Sequence, residues 1–260
     1  MKGFGVLLQK EWREQIRNFK LLWIPLVFII FGILEPVTNH FLPEIMKSVG
    51  NMPEGVEFPW PEFAPKDILV SLMGQYQSIG LLIIVLAFIG AISSERKSGT
   101  ATLLYVRPLS YSSYFLSKWT MINALVLFSV WVGFLAGWYY TSQLFGSIPA
   151  TDVVAFLAAY SLWIIFAVSI VLALSAWLPT GGVAALGLFL TMIMAILDSV
   201  IGAYWTVTPW KLSTYASYIL MGSMDYPTFW KTAGLTVFLI ILLILFGTYM
   251  AGRNAAKTTV

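Results

Sequence analysis

The chain of 260 residues has no cysteine, a single histidine (His40), and charged side chains at only 10% of its positions. Without cysteine there are no disulfides, no thiolate nucleophile and no thiolate-bound metal. One histidine cannot build a histidine-rich metal site or a proton relay, and no Ser/His pairing of a hydrolase is present. No G-x-x-x-x-G-K-[ST] run occurs, so the chain has no P-loop of its own for ATP. A soluble domain is about one-quarter charged, and 15 basic plus 12 acidic residues are too few to cover a globe of this size. The net charge of +3 is not gathered on one exposed segment, which argues against a nucleic-acid partner.

What is present is apolar: 59% hydrophobic residues and a mean hydropathy of +0.83. A helix crosses a bilayer with about 20 apolar residues. Charge-free runs of 14, 27, 33, 45 and 21 residues follow Lys20, Asp67, Lys118, Asp152 and Lys231. The longest run contains Leu178-Pro179-Thr180-Gly181-Gly182, a turn signal that divides it in two. The expectation is an all-α, polytopic membrane protein with six helices, at 21–41, 69–92, 119–142, 153–178, 183–203 and 232–252. The first is interrupted by Glu35-Pro36. A full crossing is favoured, with Glu35 near the outer headgroups, and a re-entrant or interfacial segment is the alternative.

Lysine and arginine set the orientation. With both termini inside, the inner segments hold 11 basic residues and the outer ones 4. Of the acids, only Glu11, Glu14 and Glu95 then lie inside. Trp119 and Trp177 fall at inner ends, and Trp138, Tyr139, Tyr140, Tyr204, Trp205 and Trp230 at outer ends, as an interfacial belt requires. The apolar stretch before Glu35-Pro36 meets no small-residue cleavage site, so no signal peptide is expected.

Residues 1–260 read as one membrane domain. Segment 1–20 is an interfacial helix, on which Phe4, Leu8, Trp12, Ile16 and Phe19 form one face and Lys10, Arg13, Glu14, Arg17 and Lys20 fill much of the rest. Residues 21–92 hold helices one and two with a proline-rich outer loop at 43–67. Residues 93–118 form an inner loop, 119–252 hold helices three to six, and 253–260 are a tail. The outer stretch 204–231 is aromatic enough to contain short helices. In the inner loop Thr100 is a candidate N-cap for a short helix to Val106, ended by Pro108. Leu103, Leu104 and Val106 there have no membrane to enter, which invites a partner protein. Asp198 is the only acid deep in a span. It either lines a cargo path or is hydrogen-bonded between helices.

The run Glu95-Arg96-Lys97-Ser98-Gly99-Thr100, followed by Leu103-Leu104, Pro108 and Lys118, resembles the signature of type-2 ATP-binding-cassette (ABC) permeases. Lys10-Glu11-Trp12-Arg13-Glu14 is similar to that family's amphipathic N-terminal helix, and the six-span layout matches throughout, in the manner of small bacterial permeases paired with a separate ATPase. The resemblance implies a non-catalytic subunit without cofactors, with ATP and Mg on a partner ATPase. It implies a second permease subunit, identical or homologous, in the bacterial plasma membrane. The short helix after Gly99-Thr100 would dock in the ATPase through Leu103, Leu104 and Tyr105. Glu95, Arg96 and Arg107 would form a polar rim, and Glu11 and Arg13 would flank it. Plainer roles stay open: a charged cap at Glu95-Arg96-Lys97, a helix break at Gly99, and snorkelling of Lys118 to the interface. The function expected is export of an amphiphilic cargo such as a peptide, antibiotic, lipid or toxin. The alternatives are a secondary transporter or channel, and a membrane-embedded enzyme or assembly factor.

Overall fold

The computed structural model describes residues 3–49, 63–99, 110–202 and 204–255, with side chains at all of these except 46–49, 188, 190–192, 194–196, 198, 199, 201 and 255. The described residues contain helices and no strand. Helix α1 (Phe4–Arg17) is followed by α2 (Lys20–Val49). The second span is assembled from α3 (Pro65–Gln75), a π-turn (Tyr76–Gly80) and α4 (Leu81–Phe88), with a short α5 (Ser93–Lys97) beyond a break. Then come α6 (Tyr111–Leu144), α7 (Ala150–Trp177), α8 (Thr180–Ile201), α9 (Leu212–Met221) and α10 (Tyr226–Ala255).

Among the described residues, five helical stretches are long and apolar enough to cross a membrane: Lys20–Ile45, Pro65–Lys97, Tyr111–Leu144, Ala150–Trp177 and Tyr226–Asn254. The sixth expected span is α8, 22 residues with Asp198 as its only charge. The first span is one continuous helix that runs through Pro25, Pro36 and Pro43 and is long and apolar enough to cross. The expected bounds were too tight elsewhere. Helix α6 starts at Tyr111 rather than 119, α8 at Thr180 rather than 183, and α10 at Tyr226 rather than 232. Charge-free runs mark only the apolar middle of a span. The i→i+4 ladder continues past a lysine into the polar zone. For the same reason the outer loop expected at 43–67 shrinks, since α2 reaches Val49 and α3 opens at Pro65.

Helix α2 packs chiefly on α6, and α10 on α7. The α2–α6 contact is a backbone approach over glycines. A Cβ on Gly32 would overlap the Gly133 carbonyl, and one on Gly133 would lie 2.7 Å from the Phe28 carbonyl oxygen. Gly133 and Gly137 thus form a G-x-x-x-G stripe facing Gly32, the small-residue packing that apolar solvent favours. Around it the aromatic core joins four spans edge to face: Phe28 to Tyr76 at 4.8 Å, Tyr76 to Phe134 at 4.7 Å and Phe134 to Phe156 at 5.3 Å between ring centroids. The Tyr76 hydroxyl donates to the Phe28 carbonyl at 2.5 Å. At one end of the bundle Lys66 bonds Asp152 at 2.9 Å and the Leu220 carbonyl at 2.6 Å, clamping α3, α7 and α9 together. At the other end lie α1, α5, the start of α6, the α7–α8 turn and the last turn of α10, and there the candidate site is built.

Candidate functional site: a buried charge cluster at a broken helix

The second span breaks over Ile89–Ile92. Ala91 N–H bonds the Phe88 carbonyl at 3.0 Å, so the Ala87 carbonyl loses its helical partner, and the Lys20 ammonium takes its place at 2.7 Å. Ser175 of α7 does the rest. Its Oγ accepts from the N–H groups of Ile92 and Ser93 at 3.1 and 3.2 Å and donates to the Ile89 carbonyl at 2.9 Å. Ser93 Oγ lies 2.9 Å from Thr180 Oγ1 on α8. Side chains from α2 and α7 therefore satisfy backbone groups that a continuous helix would have satisfied itself.

Beyond the break, Arg96 reaches back to the end of α7 and donates to the carbonyls of Ala176 and Leu178 at 2.9 and 2.7 Å. Asn254 of α10 donates to Ala176 as well, at 2.9 Å. A guanidinium is the favoured partner for C-terminal carbonyls, which carry the negative end of the helix dipole. Gly99 has φ +76, and its N–H bonds the Arg96 carbonyl at 3.3 Å. It ends α5 in the left-handed conformation that glycine adopts without a Cβ clash.

Glu95 points the other way, into a cluster of opposed charges. Lys118 of α6, only 1% exposed, lies 3.0 Å from both Glu95 and Glu11 of α1. Lys10 pairs with Glu11 at 2.9 Å, with Glu14 at 3.0 Å and with Glu95. The Tyr114 hydroxyl donates to Glu95 at 2.5 Å. Burial works against the charge on Lys10, yet Glu11 and Glu95 more than offset it and hold the ammonium above the ordinary lysine range. Carboxylate oxygens of Glu11, Glu14 and Glu95 lie within 4.8 Å of one another, a spacing that a cation bridges elsewhere. Here the ammonium groups of Lys10 and Lys118 already stand between them, two cations among three carboxylates.

Helix α1 reaches the cluster because it carries three faces. Leu7, Glu11 and Gln15, four apart, are buried against the bundle. Trp12, Ile16 and, in the turn that follows, Phe19 are exposed, as a membrane-facing side requires. Arg13 and Arg17 lie on the third face and line a groove of about 410 Å³ with Lys10, Glu14 and Asn18.

A profile of an ABC-2 family transporter protein matches residues 6–208. The chain belongs to the ABC-2 transporter family. It is also 30% identical over 256 residues to the uncharacterized transmembrane protein YxlG of Bacillus subtilis (strain 168), covering 97% of this chain and 98% of that one. Membership makes it the transmembrane subunit of a transporter, a type of subunit that is generally non-catalytic.

Of the residues singled out from the ABC-2 resemblance, the structure brings Glu11 and Glu95 together and sends Arg96 and Gly99 to the α7–α8 turn and the α5 terminus. Glu95, expected at the rim, is 8% exposed, and Glu11, expected to flank the docking helix, is 1% exposed, so both face the interior. Arg13 stands apart on the exposed face of α1. Thr100, Leu103, Leu104, Tyr105, Arg107 and Pro108 lie outside the described residues, as does the side chain of Asp198, whose backbone is in α8. Lys118 corrects an expectation. It does not snorkel at the mouth of the third helix but lies two turns inside it, because Ser110 caps α6 and accepts from the Ser113 N–H at 3.2 Å. Lys10, Lys20, Tyr114 and Ser175 were not anticipated as parts of the site. The Ser110-x-x-Ser113 pattern after Pro108 was the signal that would have placed Lys118 and Tyr114 inside a helix.

Proposed function

We propose that this ABC-2 subunit is the membrane half of an exporter driven by ATP hydrolysis on a separate subunit. The observation that carries the reading is the bracing of segment 100–109 at both of its roots. Glu95, before the segment, is bonded directly to Tyr114 and Lys118, after it, and the two roots are bonded in turn to α1. Arg96 and Ser175 join the first root to α7. A force applied to the segment is thereby delivered to several helices at once rather than absorbed by a loose loop.

In this reading both termini and the segment are cytoplasmic in a bacterial plasma membrane, in accord with the basic bias of that end. Thr100 opens a short helix, and Leu103, Leu104 and Tyr105 enter a cleft of the ATPase, rimmed by Arg107 and flanked by Arg13. ATP with Mg binds on the partner. Two permease subunits, identical or homologous, tilt as near-rigid bodies and open a path outward for an amphiphilic cargo. Asp198 lies along that path. The test is co-purification of the chain with candidate ATPases. Leu103→Asp or Leu104→Asp is expected to abolish capture while leaving membrane insertion intact. Undiminished capture by both variants would refute the docking assignment.

A further inference from the structure

The open groove of about 660 Å³ between the first turn of α6 and the end of α10 is lined by Ser110, Tyr111, Ser112, Thr248, Tyr249, Gly252 and Arg253. It does not belong to the charge cluster. Its walls are held by contacts already in place. Gly252 lets the Tyr111 ring lie against α10, where a Cβ would be 3.2 Å from that ring. Asn254, the next residue after Arg253, is bonded to the carbonyls of Ala176 and Trp177, which fixes the last turn of α10. Among the described residues Arg253 makes no ion pair or hydrogen bond, and none of those lining the groove is acidic. The surface leading into it is apolar: Leu242, Leu245 and Tyr249 of α10 are exposed in succession towards that end.

We infer that this groove binds the headgroup of an anionic phospholipid. The phosphate sits at the Arg253 guanidinium, with hydroxyls of Ser112 and Thr248 as further donors, and the acyl chains run along the exposed face of α10. The chemistry supports this assignment on three counts. A planar guanidinium offers paired donors to phosphate oxygens. Tyr111 and Tyr249 carry the amphipathic rings that settle at headgroup depth. A basic pocket between the ends of two spans is where lipid headgroups are bound. The inference needs only a membrane protein and does not rest on the transporter reading.

The full chain, purified in detergent, is titrated with phosphatidylglycerol or phosphatidylethanolamine, and binding is read by native mass spectrometry and by the shift in thermal unfolding. Phosphatidylglycerol is expected to bind and stabilise the chain. Arg253→Gln should weaken that binding about five-fold, from the loss of one cation near the surface. Arg253→Lys should retain most of it, and Arg13→Gln, outside the groove, should leave it unchanged. Equal affinity in the wild type and Arg253→Gln overturns the inference. So does displacement of the lipid by millimolar inorganic phosphate, which would make this a small-anion site. A third overturning result is an Arg253→Gln variant with normal lipid binding and impaired ATPase capture, which would assign the groove to a protein contact.

Discussion

Lys118 is the side chain on which the charge cluster converges, and its removal has a calculable consequence. Its ammonium is 1% exposed and lies 3.0 Å from Glu11 and 3.0 Å from Glu95, whose side chains are 2% and 10% exposed. In Lys118→Met these two carboxylates keep one ammonium, that of Lys10, which is one-third exposed and already shared with Glu14, and Glu95 keeps the Tyr114 hydroxyl. Breaking a buried pair by deleting one partner costs about 3–5 kcal/mol, because the survivor remains charged and unsolvated. For a chain of this size each 1 kcal/mol moves Tm by about 2–4 °C, so a fall of roughly 6–20 °C is expected in detergent. The charge swap Glu11→Lys with Lys118→Glu sharpens the test. An isolated pair would survive the exchange. Here the new carboxylate at 118 would face Glu95, and the new ammonium at 11 would face Lys10, so the swap trades one repulsive contact for another and is expected to rescue neither single change. A Tm loss below about 2 °C for Lys118→Met, equivalent to less than 1 kcal/mol, would refute the reasoning. Recovery of wild-type Tm by the swap would show that Glu11–Lys118 acts alone.

Other outcomes can be measured on the same preparations. Gly133→Ala should destabilise the chain by about 1–3 kcal/mol through overpacking against Phe28 and Tyr76, whereas Gly234→Ala, with nothing within 4 Å of its added methyl, should be neutral or mildly stabilising in thermal unfolding. Arg96→Ala removes charged hydrogen bonds worth about 1.5–3 kcal/mol each and should raise amide exchange locally over residues 178–183, with exchange in α2 unchanged. Asp198→Asn is expected to alter cargo-stimulated ATPase activity of the assembled transporter, and unaltered activity would assign the carboxylate to helix packing.

The fold was largely legible because its signals are long and repetitive. A charge-free run of 27 residues after Asp67 cannot be concealed by context, and the aromatic stretch 204–231 announced the short helix α9. The site was legible only in part, for a geometric reason. Glu95-Arg96 looked like one charged patch, yet the two side chains diverge, one into α1 and α6, the other onto the end of α7. Neighbouring residues on a helix point about 100° apart, so sequence proximity says little about shared surroundings. The bonds that decide the site span 107 residues from Glu11 to Lys118 and 82 from Ser93 to Ser175, distances over which one sequence carries no pairing signal. On α1 the five-residue apolar face was visible, but the face that packs on the bundle holds Leu7, Glu11 and Gln15 and looks polar. Its burial depends on Lys118, which hydropathy alone assigns to the interface.

The break at Ile89–Ile92 gives the cluster its mechanical meaning. A continuous helix from Pro65 to Lys97 would be a single lever about 50 Å long, and any displacement of its end would bend the core around Tyr76. A bare break would decouple the end altogether. The structure takes neither course, because the released backbone groups are bonded to Lys20 and Ser175 on other helices. Motion of α5 must then carry α7 with it through Ser175 and Arg96, and α1 and α6 through Glu95. Displacing α5 alone would strand charged groups that are 10% exposed or less, a cost of several kcal/mol per broken pair. Rigid-body movement of the end of the bundle avoids that cost. The break also leaves the glycine-packed contact between α2 and α6 undisturbed, so in the proposed exporter one half of the second span would deliver force while the other keeps the helices packed.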